Sequence, residues 1–282
     1  MACWRQLQRA RGFTLVELVV VIVLLGIVAV STTQFIRQGV EIYRDTARRD
    51  SLQQDGRFVV ERIIRELRNA LPGSVRASAN CLEFMPIVGA SSYINNITGA
   101  DITSFQAADF SFSGCDSAAI CDFTGGGYRV AVYTIDNGDV YFVPPPAPPQ
   151  TAVLNSINAV AAGIRTVNLV TTRFTRESPQ NRFFIIKNRV SFCAVDGAMT
   201  RYSGYTTATS TQPIPPVGGS SSLLSESIRV VDASSAPITV FSFTPGILQR
   251  AGVVHMDMQF HDISAADEWV RFSHEVFVRN TP

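Results

Sequence analysis

The sequence predicts an α+β chain: one long amino-terminal helix followed by antiparallel β-structure. Three observations carry this prediction. From Phe13 to Ile36 the residues are mostly apolar and Glu17 is the only formal charge. Apolar residues then recur at helical spacing as far as Leu71. After Pro72-Gly73 the pattern changes to alternation with period two, in short runs divided by turn residues. A helix that presents an apolar stripe to a run of strands is expected to pack on the sheet they form.

The first helical stretch, Phe13 to Ile36, spans about 36 Å at 1.5 Å per residue, enough to cross a bilayer core. Beyond it, Val40, Tyr43 and Ala47 continue the spacing, the stretch from Arg44 to Gln54 is polar, and Phe58, Val59, Ile63, Leu67 and Leu71 resume it. The polar stretch interrupts any sustained heptad, so packing on the chain's own sheet is expected in preference to a coiled coil. Glu61 with Arg65 and Arg62 with Glu66 sit at i,i+4 spacing on the outward face, and Gly56 is a candidate bend. Pro72-Gly73 is the stop signal. The expected organisation is a leader at 1–12, a transmembrane helix at 13–36, an amphipathic continuation at 37–71 and a β-rich head at 72–282.

Within the head, Cys81 to Val88 reads as the first strand. Tyr128 to Ile135 and Val140 to Val143 read as a hairpin across Asp136-Asn137-Gly138-Asp139. A second hairpin is expected from Phe183 to Val195 through Asp196-Gly197 to Tyr205. Val254, Met256, Met258 and Phe260 alternate with His255, Asp257, Gln259 and His261, and Trp269 to Val278 is expected to pair with that strand. Pro144 to Pro149 and Thr206 to Ser222 read as loops, the proline run as a stiff connection.

Charge and cysteine usage place the chain. Arg5, Arg9 and Arg11 precede the apolar run with no acid among them, so the positive-inside rule holds residues 1–12 in the cytoplasm and sends everything after the helix across the membrane. Small residues at Val30, Ser31 and Thr32 keep open the alternative of an ordinary cleaved secretory signal. Without residues 1–12, 21 basic residues face 23 acidic ones, a formal charge of −2, which gives no ground for a nucleic-acid partner. Cys3 lies in the leader; Cys81, Cys115, Cys121 and Cys193 are an even set in an oxidising compartment. Cys115 with Cys121, which bracket a short loop, is the favoured pair, leaving Cys81 with Cys193. Zinc is the rival reading, but neither a close cysteine pair nor a Cys-His spacing supports it.

Glu17 is the residue that needs a partner. A carboxylate within an apolar span costs about 2.5 to 3.5 kcal/mol on insertion scales. Cleavage after Gly12 would give Phe13 a free α-amino group one helical turn from Glu17. In a row of parallel subunits that ammonium meets a neighbour's carboxylate at the same depth, which offsets both desolvation costs. Glu17 is then an assembly determinant.

The string Gly12-Phe13-Thr14-Leu15-Val16-Glu17, with a basic leader before it and an apolar helix after it, resembles the prepilin signature of type IV pilins and type II secretion pseudopilins. The resemblance implies cleavage between Gly12 and Phe13 by a prepilin peptidase, N-methylation of Phe13, and a role for Glu17 in registering subunits within a filament. It also implies as partners other pilins through the amino-terminal helix, the pilus assembly platform and the lipid bilayer. Major pilins usually carry a helix-kinking proline where this chain has Gln34, so a straighter anchor is expected. The end of the long helix at Glu66-Leu67-Arg68-Asn69-Ala70, a cysteine-bearing strand after it, and a terminal Val276-Phe277-Val278-Arg279-Asn280 are similar to the larger minor pilins. These include the O-type minor pilin of mannose-sensitive haemagglutinin pili and the J-type and W-type minor subunits. The head is bulky for a repeating subunit, and no cysteine follows Cys193 to close the major pilin's terminal disulfide loop. The resemblance therefore implies a low-copy minor pilin in assembly or initiation of a type IV pilus, or else a type II secretion minor pseudopilin or a tip adhesin.

Candidate chemistry in the head is sparse. His255, Asp257 and His261 share a strand face but stand too far apart for one ion unless the strand bends. Asp136, Asn137 and Asp139 resemble part of a calcium loop without its closing glutamate. Gly125 to Gly127 lack the Lys-Ser/Thr of a phosphate loop, and no Gly-x-Ser-x-Gly elbow occurs. No catalytic residue, cofactor or metal is expected.

Overall fold

The computed structural model describes residues 13–78, 80–141, 150–205, 211–232, 234–247, 250–262 and 265–278. The chain divides into two compact units, Met1–Ser51 and Leu52–Pro282. A continuous helix, α1 (Leu15–Leu67), runs through the boundary.

In the first unit every apolar side chain of α1 from Leu15 to Ile36 is exposed within the chain. Its hydroxyls are not left open: Ser31, Thr32 and Thr33 donate to the carbonyls of Ile27, Val28 and Ala29 at 2.8–2.9 Å. Such bonds satisfy polar groups inside the helix and suit an apolar medium.

In the second unit the helix acquires a buried stripe, Leu52, Gly56, Val59, Val60, Ile63 and Leu67. Phe58, expected on that stripe, is exposed. The helix stops at Leu67 rather than Leu71, because Asn69 and Ala70 turn back to the carbonyls of Glu66 and Leu67 and the Leu71 N–H goes to Met85. Gly56 marks no break in α1; it is where the helix meets Phe272.

The strands are β1 (Arg76–Ser78), β2 (Cys81–Phe84), β3 (Ile87–Ser92), β4 (Ile102–Ala108), β5 (Cys121–Asp122) and β6 (Arg129–Ala131). A one-turn helix, α2 (Gly138–Tyr141), precedes β7 (Thr151–Ile157), β8 (Ile164–Thr172), β9 (Arg182–Ile186), β10 (Val190–Val195) and β11 (Ala198–Ser203). The remainder are β12 (Ser220–Ser225), β13 (Ile228–Arg229), β14 (Phe241–Thr244), β15 (Gly252–Asp262) and β16 (Ala265–Val278). Helix followed by antiparallel sheets is the predicted α+β layout.

Three sheets form. The first has the order β1-β2-β10-β11-β12; the second sets β13 and β14 along one side of β15 with β16 on the other. These two sheets and the buried stripe of α1 share one core, which includes Ile63, Leu67, Phe84, Phe192, Met256 and Phe260. On β15 the buried set is Val254, Met256, Met258 and Phe260, as the alternation predicts, and β15 pairs with β16 from Val253↔Phe277 to His261↔Trp269.

The third sheet is an insertion. Phe84 at the end of β2 lies opposite Val190 at the start of β10, so the chain between them leaves the first sheet and returns to the same place. In that segment β3-β9-β6-β7-β8-β4 pair in order, and β5 adds to β7. The bridge Tyr93↔Ala107 and the bond from Ile94 N–H to the Gln106 carbonyl join the chain after β3 to β4. That pairing brings the two end strands together and curls the sheet into a small barrel. Its separate core contains Phe105, Val130, Leu154, Val167, Phe183 and Ile185.

Among the described residues two disulfides are present, Cys81–Cys193 across the register pair of β2 and β10, and Cys115–Cys121 in the barrel. The Cys115–Cys121 loop wraps the fully buried Arg165, whose guanidinium donates to the carbonyls of Phe110, Asp116, Ala119 and Asn158. These acceptors replace the water that a buried cation loses.

Four local expectations are corrected. Cys81 to Val88 is not one strand, because the ladder breaks at Met85-Pro86 and β2 and β3 enter different sheets. Asp136-Asn137-Gly138-Asp139 is not a hairpin turn: Asp136 Oδ1 accepts from Gly138 and Asp139 N–H, capping α2, and β6 pairs with β7 and β9. Phe183 to Val195 splits at Lys187–Arg189 into β9 and β10, although Asp196-Gly197 does join β10 to β11 as a hairpin. Ser220 to Ser222, the end of the stretch read as loop, open β12, which pairs with β11. The expected loop at Pro144 to Pro149, the stretch Thr206 to Ser210, and Arg279-Asn280 lie outside the described residues.

The first sheet is buried on both faces at β2 and β10. One carries Leu82, Phe84 and Phe192 toward α1; the other carries Glu83 and Ser191, both fully buried. Arg76, opposite Glu83 on β1, bonds its carboxylate at 2.9 Å, and its guanidinium lies 3.9 Å from the Tyr141 ring centre. Tyr141 donates to the Ser74 carbonyl at 2.7 Å, and the Tyr205 and Ser191 hydroxyls meet at 2.6 Å. Burial first, then the Glu83 charge, raises both phenols above the usual tyrosine value. They stay protonated in the fold while tyrosines of the unfolded chain ionise near pH 10, so the unfolded state binds fewer protons there. The stability this provides is complete below roughly pH 10 and declines as pH rises above it. Thermal unfolding of the detergent-solubilised chain is expected to show that decline, with a shallower slope for Tyr205→Phe; equal slopes would remove Tyr205 as a cause.

Candidate assembly site at the N-terminal junction

Gly12, with Cys3 and the leader arginines, lies outside the described residues; the site begins at Phe13, whose side chain is 79% exposed. Thr14 caps α1. Its Oγ1 accepts from the Glu17 N–H at 3.3 Å, and its carbonyl accepts from the Leu18 N–H at 3.1 Å. Threonine at the cap and glutamate three residues on is the capping-box spacing, legible in Thr14-Leu15-Val16-Glu17 but not used in the sequence reading.

The cap places Glu17 in the first turn of α1, where the helix dipole favours a carboxylate. That attraction is worth about 0.3 to 1 kcal/mol when exposed, against about 2.5 to 3.5 kcal/mol for a carboxylate in an apolar span. The local geometry therefore offsets less than half of the cost. Among the described residues nothing bonds the Glu17 carboxylate, and Leu15, Val16 and Leu18 around it are exposed. Glu17 is itself exposed. α1 is also long and apolar enough to cross a membrane.

Of the other candidate residues, His255, Asp257, Asp136 and Asp139 have local partners, while the buried His261 Nδ1 has none among the described residues. Asp257 forms a two-pronged ion pair with Arg271 at 2.6 and 2.7 Å, and His255 Nδ1 lies 3.1 Å from Glu275. With His261 they alternate along the outer face of β15 and do not converge. Asp136 caps α2, while Asp139 accepts from Ile135 N–H and pairs with Arg176. Among the described residues no three histidine, cysteine or acidic side chains group to hold a metal ion.

Fold and junction together define a class: an apolar amino-terminal helix with one unpartnered acid in its first turn, bearing a β-rich head. Residues 7–33 match the prokaryotic N-terminal methylation motif. That match covers the junction and the first part of α1 and supports the resemblance to type IV pilins and pseudopilins. No curated protein and no solved structure matched the chain significantly.

Proposed function

We propose that the chain is a minor pilin, a structural subunit acting in assembly or initiation of a type IV pilus. Prepilin peptidase cleaves it between Gly12 and Phe13, Phe13 is N-methylated, and Glu17 takes the terminal amine of a neighbouring subunit. The chain crosses the inner membrane once, its leader cytoplasmic and its head periplasmic, before it enters the filament. The observation that carries this reading is the methylation motif coinciding with a capped, unpartnered Glu17. The barrel inserted between β2 and β10 enlarges the head, which supports a low-copy position near the tip. Replacing Gly12 with leucine is expected to leave full-length precursor in the inner membrane, visible on immunoblots and as an unmethylated amino terminus by mass spectrometry. Normal processing of that variant would sink the proposal.

The insertion also favours a second reading, in which the barrel is a displayed head that binds a surface. Because Phe84 and Val190 are register partners, a tight turn can join β2 to β10 in its place. Excision is then expected to abolish attachment while pili still form; loss of pili would return the barrel to an assembly role.

A further inference from the structure

We propose that the open edge of β16 pairs with the same edge of a second copy of this chain, antiparallel and centred on Ser273. Among the described residues β16 pairs with β15 alone, so its other side is a row of unpaired backbone N–H and C=O groups. Such an edge templates the addition of another strand unless the sequence blocks it with proline, a bulge or a covering segment. Here the block is missing. From Glu268 to Val278 there is no proline or glycine, and the register with β15 runs unbroken from Gly252↔Val278 to His261↔Trp269.

The side chains choose the partner. Val276 and Val278 turn into the core shared with α1, so the alternate residues Trp269, Arg271, Ser273, Glu275 and Phe277 lie on the other face. All five are exposed, Trp269 at 47% and Phe277 at 66%. A twofold through Ser273 sets Arg271 opposite the second copy's Glu275, and Trp269 opposite the second copy's Phe277, each twice. Opposite charges and aromatic pairs are the favourable cross-strand combinations. Centring on Arg271 or Glu275 instead puts like charges face to face, and centring on Phe272 or His274 leaves Arg271 opposite Ser273 or Phe277. The inner face agrees with Ser273, since Val270 meets Val276 and the half-buried Phe272 meets His274. Within one chain Arg271 holds Asp257 through Nε and Nη2, which leaves Nη1 open, and Glu275 lies 3.1 Å from His255 Nδ1. The contact therefore joins the Asp257–Arg271 pair of one copy to the Glu275–His255 pair of the other.

The twofold of an antiparallel strand pair stands perpendicular to the sheet. It reverses the Leu52–Leu67 part of α1, whose buried stripe packs along that sheet. Two copies joined in this way run in opposite directions, so they meet from facing surfaces and not as neighbours in one filament. The contact is thus separate from the assembly role proposed for Glu17.

The test uses the full chain in detergent with Cys3→Ser, which leaves the four disulfide-bonded cysteines. Opposite residues of an antiparallel pair have Cα atoms about 4.5 to 5.5 Å apart, within disulfide reach. Under mild oxidation Ser273→Cys is expected to give a covalent dimer on non-reducing gels. Phe277→Cys alone is not, and is expected to crosslink only when mixed with Trp269→Cys. By light scattering the parent chain is expected to dimerise, and Ser273→Lys, which sets two ammonium groups face to face, to weaken the dimer about tenfold or more. Arg271→Glu and Glu275→Arg are each expected to be monomeric and to dimerise when mixed, because the mixture restores both charge pairs. Ser273 is exposed, so its variants keep the fold, which circular dichroism checks. A parent chain that stays monomeric, a dimer that survives Ser273→Lys unchanged, or Phe277→Cys linking to itself as readily as Ser273→Cys would each overturn the proposal.

Discussion

Replacing Glu17 with leucine is expected to leave cleavage after Gly12 and membrane insertion intact while the subunit disappears from assembled filaments. For insertion the change is favourable: it removes a carboxylate that costs about 2.5 to 3.5 kcal/mol in an apolar span. For α1 it is a small loss, since the dipole attraction of a first-turn acid is about 0.3 to 1 kcal/mol and the Thr14 hydroxyl still receives the residue 17 N–H. A plain membrane anchor would therefore gain from the substitution. A filament subunit would lose, because the terminal amine of its neighbour is left unpaired in hydrocarbon, and breaking one side of a buried pair costs about 3 to 5 kcal/mol. The two roles thus predict opposite signs. Immunoblots of membrane and sheared-filament fractions measure both; a Glu17→Leu chain recovered from filaments at the wild-type level would exclude the assembly role. Glu17→Asp keeps the charge on a shorter arm and is expected to fall between the two.

Where the sequence was legible, the controlling physics is local. Val254, Met256, Met258 and Phe260 alternate because one face of β15 meets the core, and a period of two records that whatever the strand's partner. Residues Val59, Ile63 and Leu67 repeat because one stripe of α1 is buried. The misses arise where the deciding contact is distant in sequence. Nothing between Cys81 and Val88 says that Phe84 pairs with Val190 while Ile87 pairs with Ile186, so the barrel between them read as a continuation of the head. Asp136-Asn137-Gly138-Asp139 shows a different ambiguity. The same short polar side chains favour a hairpin turn and a helix cap, and the burial of Val140 and Tyr141 decides for the cap. At the junction the glutamate stood out by its cost, while the Thr14 cap that positions it went unread.

Gly56 tests the packing of the head more severely than any other single position in α1. A Cβ built there lies 2.1 Å from Cε2 of Phe272, far inside contact distance. Phe272 has little room to retreat: its ring packs edge-on against Phe260 at 5.6 Å, and its backbone is opposite Met258 in the β15–β16 ladder. Two terms of opposite sign compete in Gly56→Ala. Helix propensity favours alanine by about 0.8 to 1 kcal/mol. Overpacking a filled core costs about 1 to 3 kcal/mol, so the net expectation is destabilisation, and for Gly56→Leu a loss above about 3 kcal/mol, a large part of a domain's stability. Thermal or urea unfolding of the solubilised chain measures it. The decisive comparison is the double substitution. With Phe272→Ala the ring that supplies the three nearest atoms is gone, and Gly56→Ala is expected to become stabilising by up to about 1 kcal/mol. A sign that does not reverse would mean that the ring is not what alanine meets. Gly39, which has no neighbour within 4 Å, provides the reference, since alanine there is expected to show the propensity gain without any clash.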